Sequence, residues 1–217
     1  MEETYKVKKL HWWYYPIKYS FDFLVALIGV ILLSWLYIIL AILVKCTSKG
    51  KILFRDVRVG KNGKIIHVLK FRTMFSDANE NPGKYMTKEQ MEEWKKERKL
   101  ERDPRVTKIG HVLRKTSLDE LPQLFNILAC QMSLVGPRPI TPAEEKKNYT
   151  PEQIKIIRLA RPGITGYWQV NGRNNATYAG GERARLNLAY FEQRSLWLDV
   201  KILFKTVPTV LTKKGAV

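Results

Sequence analysis

The most pronounced pattern in the chain is an uninterrupted apolar run from Phe23 to Val44. It contains no charged residue, and as a helix it is long enough to enter a bilayer core, which needs about 20 apolar residues. A cleaved signal peptide does not fit, because the run is too long and no small-residue cleavage site follows it. The alternative, a buried core helix, is usually shorter. The pattern therefore predicts a membrane-inserted helix over about residues 21–44.

Positive charge flanks both ends of this apolar run. A helix that crosses the membrane once should have its excess of lysine and arginine on the cytoplasmic side only. Charge on both flanks instead favours a re-entrant helix that enters and leaves at the cytoplasmic face, with a single crossing as the alternative. The aromatic cluster at residues 12–15 is typical of the membrane–water interface. The flanking lysines are Lys6, Lys8, Lys9 and Lys18 before the run and Lys45, Lys49 and Lys51 after it.

The rest of the chain contains no second apolar span and reads as a mixed domain. Residues 51–74 alternate apolar and polar positions on either side of Asn62-Gly63, which predicts a β-hairpin. We therefore predict an α+β fold in which residues 1–50 anchor a mostly helical cytosolic domain, residues 51–217, with interfacial amphipathic helices. The helices predicted from apolar periodicity are an exposed one over Thr87–Leu100, amphipathic ones over Ser117–Ala129 and Glu152–Leu159, and one or two over Arg183–Leu211, broken near Asp199 or Pro208.

The charge of the chain indicates a polyanionic partner. With 38 lysines and arginines against 20 acidic residues, the formal net charge is +18, which suits nucleic acid, anionic lipid or phosphate-bearing substrates. The apolar segment favours anionic lipid of the inner leaflet, and no nucleic-acid-binding motif is recognisable. The two cysteines, Cys46 and Cys130, suit a reducing location. The three histidines lie too far apart in sequence to indicate a metal site.

Candidate chemistry is concentrated in residues 114–122, which read Arg-Lys-Thr-Ser-Leu-Asp-Glu-Leu-Pro. Pro122 has no N–H and is tolerated near the start of a helix, so Asp119 and Glu120 are predicted to lie in the first turn. The structural interpretation is that Ser117 and Glu120 form a capping box. The catalytic interpretation is that the two carboxylates serve as nucleophile and metal ligand while neighbouring cations hold a phosphate.

Four basic residues are candidates for contacts with phosphate. Arg114 precedes the two carboxylates, and Arg138 lies between two prolines, which limits the entropy lost when its guanidinium becomes ordered on phosphate oxygens. Lys70 and Arg72 share one face of the predicted second strand. The structural alternatives are a solvated turn for Arg138 and a solvated strand edge for the strand pair.

Four motifs, in this order, resemble those of the monotopic phosphoglycosyl transferases, also called bacterial sugar transferases. Each motif alone is weak, but the ordered set is specific, and the resemblance covers nearly the whole chain from the apolar segment onward. The motifs are RVGKNG at residues 58–63 with KFRTM at 70–74, SLDELPQL at 117–124, SLVGPRP at 133–139 and RPGITG at 161–166.

The resemblance implies an enzyme that transfers a sugar 1-phosphate from a UDP-sugar to polyprenyl (undecaprenyl) phosphate and releases UMP. This step starts the assembly of exopolysaccharide, capsule, O-antigen or glycoprotein glycans. Residues 51–217 would then be a catalytic domain on the cytoplasmic face of the bacterial inner membrane. The sequence leaves open whether the enzyme forms a homodimer. The implied site has Asp119 as nucleophile and ligand of Mg2+, Glu120 as the adjacent acid, and Arg114, Arg138, Lys70 and Arg72 as substrate-binding residues.

One departure from the family bears on topology. The family breaks its membrane helix at a Ser-Pro pair, whereas Ser34 is followed here by Trp35. Without the proline, a bond from Ser34 back to a carbonyl would bend the helix but not break it. The functional alternative to the enzyme is a membrane-tethered basic module that binds nucleic acid or an acidic polymer without catalysis. The sequence leaves open which sugar is transferred and which polymer is built.

Overall fold

A computed structural model describes residues 5–78, 80–97, 100, 102–172 and 181–211 of the 217-residue chain. Helices dominate this part of the chain, with four short strands, and the predicted α+β class is confirmed. The strands are β1 (Leu53–Val59), β2 (Ile65–Phe71), β3 (Ser133–Val135) and β4 (Gly163–Thr165). The helices are α1 (Tyr14–Leu32), α2 (Ser34–Thr47), α3 (Lys88–Glu97), α4 (Lys108–Thr116), α5 (Gln123–Leu128), α6 (Pro142–Asn148), α7 (Pro151–Ile157), α8 (Tyr167–Asn171), α9 (Glu182–Gln193) and α10 (Leu196–Leu211).

The apolar segment is helical, as predicted, but it forms two successive helices. Helix α1 starts earlier than residue 21, and the chain leaves helical geometry at Leu33, where φ is −96° and ψ is 8°. The expectation that Ser34 could bend but not break the helix is therefore wrong. Ala26 of α1 packs into one hydrophobic core, whereas Leu40 and Val44 of α2 pack into another. Packing against different cores accounts for a break that has no proline.

Helix α1 is, within the described residues, the one helix long and apolar enough to cross a bilayer. A single stripe of the helix is buried, formed by Tyr14, Lys18, Asp22 and Ala26 at intervals of four residues. The remaining faces of α1 and α2 expose large apolar side chains, which supports membrane association of this segment. These exposed residues include Leu24, Ile28, Ile31, Trp35, Ile38 and Ile42.

The described residues fall into two compact units. The first comprises residues 5–31 and 55–68 with the described residues from 123 onward, and the second comprises those within 32–54 and 69–122. The predicted functional division at residue 50 stays a prediction, and the compact units follow other boundaries.

The first unit is built around a short parallel pairing of β3 with β4, in which Ser133 is opposite Gly163 and Val135 is opposite Thr165. The backbones come so close that a Cβ added to Gly163 would lie 2.2 Å from the nitrogen of Gly136. Two of the sequence motifs therefore meet through their glycines. Around this pairing packs a core of apolar side chains that includes Val68, Ile127, Met132, Leu134, Phe191 and Ile202.

A buried ionic cluster fixes the polar start of α1 within the first unit. Lys18 Nζ lies 3.1 Å from Asp199 Oδ2 of α10 and 3.7 Å from Asp22 Oδ2. The hydroxyls of Tyr14 and Tyr190 each donate to Asp199 at 2.9 Å. Buried charges need such partners, because an unpaired one carries a large desolvation cost. The buried face of the start of α1 is therefore fixed to the first unit by ionic and hydrogen-bonded contacts.

The second unit has a smaller core that contains the inner face of α2. Leu40 and Val44 pack with Phe71 at the end of β2 and with Leu113 of α4. Four such apolar side chains, each almost fully removed from solvent, make α2 an integral part of this unit's core.

The hairpin prediction is confirmed, since β1 and β2 pair around a turn in which Asn62 and Gly63 adopt positive φ angles of 58° and 75°. Where one or two helices are predicted over Arg183–Leu211, the structure has two, and they separate at Arg194–Ser195 rather than near Asp199 or Pro208. Helix α7 matches the prediction over Glu152–Leu159. Helix α3 matches the prediction over Thr87–Leu100, of which residues 98–99 lie outside the described residues.

The lysines on both flanks of the apolar segment give a test of its topology. In a chain with Cys46→Ser and Cys130→Ser, since both native cysteines are exposed, single substitutions Lys9→Cys and Lys49→Cys should both resist an impermeant thiol reagent in intact cells. Both should react after permeabilisation, which serves as the control. Labelling of the Lys9→Cys chain alone in intact cells would mean that the segment spans the membrane.

Candidate active site

The candidate site is built on the connection that follows α4. The Thr107 side chain caps this helix by accepting a hydrogen bond from the Gly110 N–H, and Ser117 ends it in the left-handed region at φ 57°. A turn of 3-10 helix, Leu118–Glu120, comes next, and α5 begins only at Gln123. The predicted helix over Ser117–Ala129 is therefore wrong in its first turns. The structural interpretation of this segment, a capping box of Ser117 and Glu120, is also wrong, because the Ser117 side chain makes no capping hydrogen bond.

Asp119 is the buried residue of this turn, with 9% of its surface exposed. Burial raises the pKa of its carboxyl group to about 6, and the adjacent Glu120 carboxylate raises it as well. The cations of Lys70 and Arg114 act in the opposite direction and lower this pKa. Above pH 6 the group is mostly ionised, in surroundings that stabilise the anion poorly, and such a carboxylate is suited to nucleophilic chemistry.

Glu120 and Lys70 form an ion pair beside Asp119. Lys70 Nζ donates to Glu120 Oε1 at 2.9 Å, which joins the second strand of the hairpin to the 3-10 turn. Both side chains are partly exposed, so the pair contributes little to the free energy of folding, on the order of 1 kcal/mol or less. What the pair does is to fix one oxygen of Glu120 and to keep a cation next to Asp119.

Arg114 is oriented from the other side of the turn. Its Nε donates to Thr73 Oγ1 at 3.0 Å. Burial lowers the pKa of the guanidinium, and the carboxylates of Asp119 and Asp103 counteract this shift. Asp103 is itself held by a buried bidentate pair with Arg105, with Arg105 Nη2 2.6 Å from Asp103 Oδ2. Sequence reasoning missed Thr73, Asp103 and Arg105, although Asp103-Pro104-Arg105 before a Thr-x-x-Gly cap was a usable signal.

The other two predicted substrate-binding residues lie elsewhere. Arg72 is buried, and its guanidinium donates to the carbonyls of Ser48 and Lys49 at the end of α2, at 2.7 and 3.0 Å. Arg138 belongs to the first unit, where its N–H donates to Asn187 Oδ1 at 2.7 Å and its guanidinium lies 4.8 Å from the Trp168 ring centroid. The structure thus groups Lys70, Arg72, Arg114, Asp119 and Glu120 in one unit and Arg138 in the other. Contacts of Arg72 and Arg138 with substrate stay predictions.

Asp119 and Glu120 are also the residues that fit a divalent cation. Among the described residues no group of three or more histidine, cysteine or acidic side chains could hold a metal ion by itself. Magnesium needs fewer protein ligands, because it is usually bound by one or two carboxylates together with substrate phosphates and water. Two adjacent carboxylates, one with an oxygen not engaged by Lys70, therefore suit Mg2+ bound together with a diphosphate.

Comparison with known proteins now identifies the family. Residues 13–213 match the family described as Bacterial sugar transferase. The exopolysaccharide production protein ExoY of Rhizobium meliloti (strain 1021) is 42% identical over 207 residues, which cover 92% of this chain and 87% of that protein. This chain belongs to the bacterial sugar transferase family, and the prediction of an enzyme that transfers sugar phosphates is confirmed.

Longer relatives carry more specific names. The undecaprenyl-phosphate galactose phosphotransferase of Salmonella typhimurium (strain LT2) is 40% identical over 202 residues. The UDP-glucose:undecaprenyl-phosphate glucose-1-phosphate transferase of Escherichia coli (strain K12) is 37% identical over 204 residues. Each match covers 92% of this chain but 41% of the relative, so the chain spans about two fifths of these longer proteins.

The burial of Asp119 predicts a change in stability with pH. Because its folded-state pKa is raised from 3.8 to about 6, this group's stabilising contribution is complete below pH 3.8 and is lost as pH rises through 6, a change of about 3 kcal/mol. Asp119→Asn removes this titration. The variant should therefore exceed wild type in apparent Tm at pH 7.5 and lose roughly two thirds of this advantage at pH 4.5, where the unfolded-state carboxyl is still mostly ionised. An equal difference at both pH values would contradict the raised pKa.

The contact between α4 and the end of β2 gives a second test. A Cβ added to Gly110 would lie 2.0 Å from the Thr73 carbonyl oxygen, so Gly110→Ala must displace the helix that orients Arg114. We expect a loss of about 3 kcal/mol in unfolding free energy, or roughly 10 °C in apparent Tm, with loss of activity. The control is Gly83→Ala, because a Cβ at that position meets nothing within 4 Å. Equal Tm values for the two variants would contradict the close approach.

Proposed function

We propose that this chain transfers a sugar 1-phosphate from a UDP-sugar to undecaprenyl phosphate, releases UMP and so starts the assembly of an exopolysaccharide or a related surface glycan. The observation that carries the proposal is the buried carboxyl of Asp119. Burial raises its pKa to about 6, although the cations of Lys70 and Arg114 lower it. Relatives support the substrates, since their names include UDP-glucose and undecaprenyl phosphate. The name of the ExoY relative supports the polymer class.

In the first step, an oxygen of the Asp119 carboxylate attacks the phosphorus that bears the sugar. A bond forms between this oxygen and phosphorus while the bond from phosphorus to the UMP oxygen breaks, and UMP leaves with the electron pair. Phosphoryl transfer depends mainly on positioning and on neutralisation of charge. Arg114, fixed by Thr73, and Lys70, fixed by Glu120, supply two cations next to the attacking group.

In the second step, a phosphate oxygen of undecaprenyl phosphate attacks the phosphorus of the aspartyl phosphosugar. The bond between that phosphorus and the Asp119 oxygen breaks, which regenerates the carboxylate and gives a lipid-linked sugar diphosphate. Asp119 is the nucleophile of the first displacement and the leaving group of the second, so UMP must leave before the lipid phosphate can react. Arg138 is proposed to contact substrate phosphate as well, with the fork geometry that suits this group.

Asp119 and Glu120 would hold Mg2+ together with the diphosphate of the donor, and the ion would supply neutralisation of phosphate charge. The pair between Lys70 and Glu120 leaves the second Glu120 oxygen for this purpose. We place the catalytic residues on the cytoplasmic face, because the flanking lysines favour that side and the acceptor is confined to the membrane. A binding module without catalysis would leave the energetically costly burial of Asp119 without a purpose.

The order of events can be tested without the lipid. Purified enzyme, Mg2+ and the correct UDP-sugar should release a burst of UMP of about one per active site, exchange labelled UMP into UDP-sugar, and gain the mass of one sugar phosphate. Asp119→Asn should abolish all three effects, because an amide cannot act as the nucleophile. Arg138→Ala should slow them, and Glu152→Gln, which changes an exposed carboxylate of α7, should leave them unchanged.

The contrary result is equally specific. If UMP appeared only when undecaprenyl phosphate was present, with neither exchange nor added mass, the lipid phosphate would attack the nucleotide sugar directly. Asp119 would then act as a base or metal ligand. A panel of UDP-glucose, UDP-galactose and UDP-acetamido sugars in the same burst assay identifies the sugar.

A further inference from the structure

Three cationic side chains of the first unit converge on two tyrosine rings near the start of α1. The rings of Tyr15 and Tyr19 stack with centroids 5.3 Å apart. Lys61 Nζ, from the hairpin turn, lies 4.8 Å from the Tyr15 centroid and 5.8 Å from the Tyr19 centroid. The Arg161 guanidinium lies 3.8 Å from the Tyr19 centroid, and Arg194 Nη1 donates to Tyr15 Oη at 2.7 Å. We call Lys61, Arg161 and Arg194 the interfacial cation cluster.

No carboxylate among the described residues forms an ion pair with this cluster. Within the described part of the chain, none of its three members has a carboxylate within the 4.0 Å of an ion pair. The buried carboxylates Asp22 and Asp199 are paired with Lys18 instead. Arg194 is 7% exposed, and its other hydrogen bonds go to a neutral backbone carbonyl of Lys8.

Like charges gathered in this way repel one another unless an anion joins them. Burial, together with the neighbouring Arg161 and Arg194, lowers the pKa of Lys61. Lysines in a solvated patch would not have a lowered pKa of this kind, because mobile exposed side chains separate in water and their charges are screened by salt. The ring faces also hold Lys61 and Arg161 in place, which reduces the entropy lost when an anion binds.

The position of the interfacial cation cluster beside the start of α1 indicates which anion could bind to it. The helix exposes Ile17 and Phe21 beside Tyr19, and Trp12 just before it is 86% exposed. Aromatic and apolar side chains in this arrangement are typical of the depth at which lipid headgroups meet the hydrocarbon. Anionic phospholipids are the abundant anions at that depth on the cytoplasmic leaflet.

We propose that the interfacial cation cluster binds the phosphate of one anionic phospholipid headgroup. The guanidinium of Arg161 matches phosphate oxygens, and Lys61 adds a second, more mobile cation. The bound headgroup would hold the start of α1 at a fixed depth in the membrane. This inference does not rest on the proposed reaction, because it concerns binding by residues that have no role in that mechanism.

The test is lipid binding by the purified full-length chain in detergent. Dioctanoyl phosphatidylglycerol should raise the apparent Tm saturably, and dioctanoyl phosphatidylcholine should do so more weakly. Lys61→Gln should weaken phosphatidylglycerol binding about fivefold, the effect expected of one cation near anionic lipid, and Lys61→Arg should restore it. Lys64→Gln removes the same charge from an exposed lysine three residues away and should bind as wild type does.

Several results would overturn the proposal. Equal losses for Lys61→Gln and Lys64→Gln would mean a diffuse field rather than a site, and no preference for phosphatidylglycerol would exclude anionic lipid. An equal Tm rise with inorganic phosphate at the same concentration would identify a site for free phosphate. Tighter binding of farnesyl phosphate, lost in Lys61→Gln, would identify the cluster as a site for the polyprenyl acceptor instead. Turnover enters none of these measurements, so failure of the proposed reaction would leave them unaffected.

Discussion

The candidate site depends on keeping the carboxyl group of Asp119 out of water. Ionising a carboxyl in such surroundings costs free energy, so the fold must supply that amount elsewhere and must hold the group in place. Ser117 does part of this by ending α4 in the left-handed region, a conformation unfavourable for a residue with a side chain. The chain can then turn at once into the 3-10 segment that buries Asp119 while Glu120 stays near the surface.

The same unit connects this turn to the membrane-associated helix α2. The hydroxyl of Tyr37 donates to the carbonyl of Leu121 at 2.7 Å, directly after the acidic pair. From the strand side, Arg72 donates to the carbonyls of Ser48 and Lys49, just after the C-terminus of α2, and to that of Val44 in its last turn. Two residues away on the strand, Lys70 reaches Glu120. The helix and the reactive carboxylates are therefore supported by one set of short contacts.

The parts of the fold that follow from local rules could be predicted, and those decided by tertiary packing could not. Asn62-Gly63 specified the hairpin because both residues accept positive φ. The acidic pair was found because two carboxylates beside cations are distinctive in any conformation. Leu33 carries no local signal for a helix break, since the break arises from packing against different cores. Ser117 resembled an N-cap in sequence, yet it ends the preceding helix in the left-handed conformation. This could not be predicted, because serine has no particular preference for that conformation.

The packing of α2 has a consequence for how this family member could be studied as an isolated enzyme. The natural place to cut would be after the apolar segment, near residue 50, to obtain a water-soluble catalytic fragment. Such a cut would remove Leu40 and Val44 and uncover Phe71 and Leu113, so the fragment would present a new apolar surface next to Asp119. The anchor is a structural component of the catalytic unit, and a soluble form would require redesign of the outward face of α2 rather than its deletion.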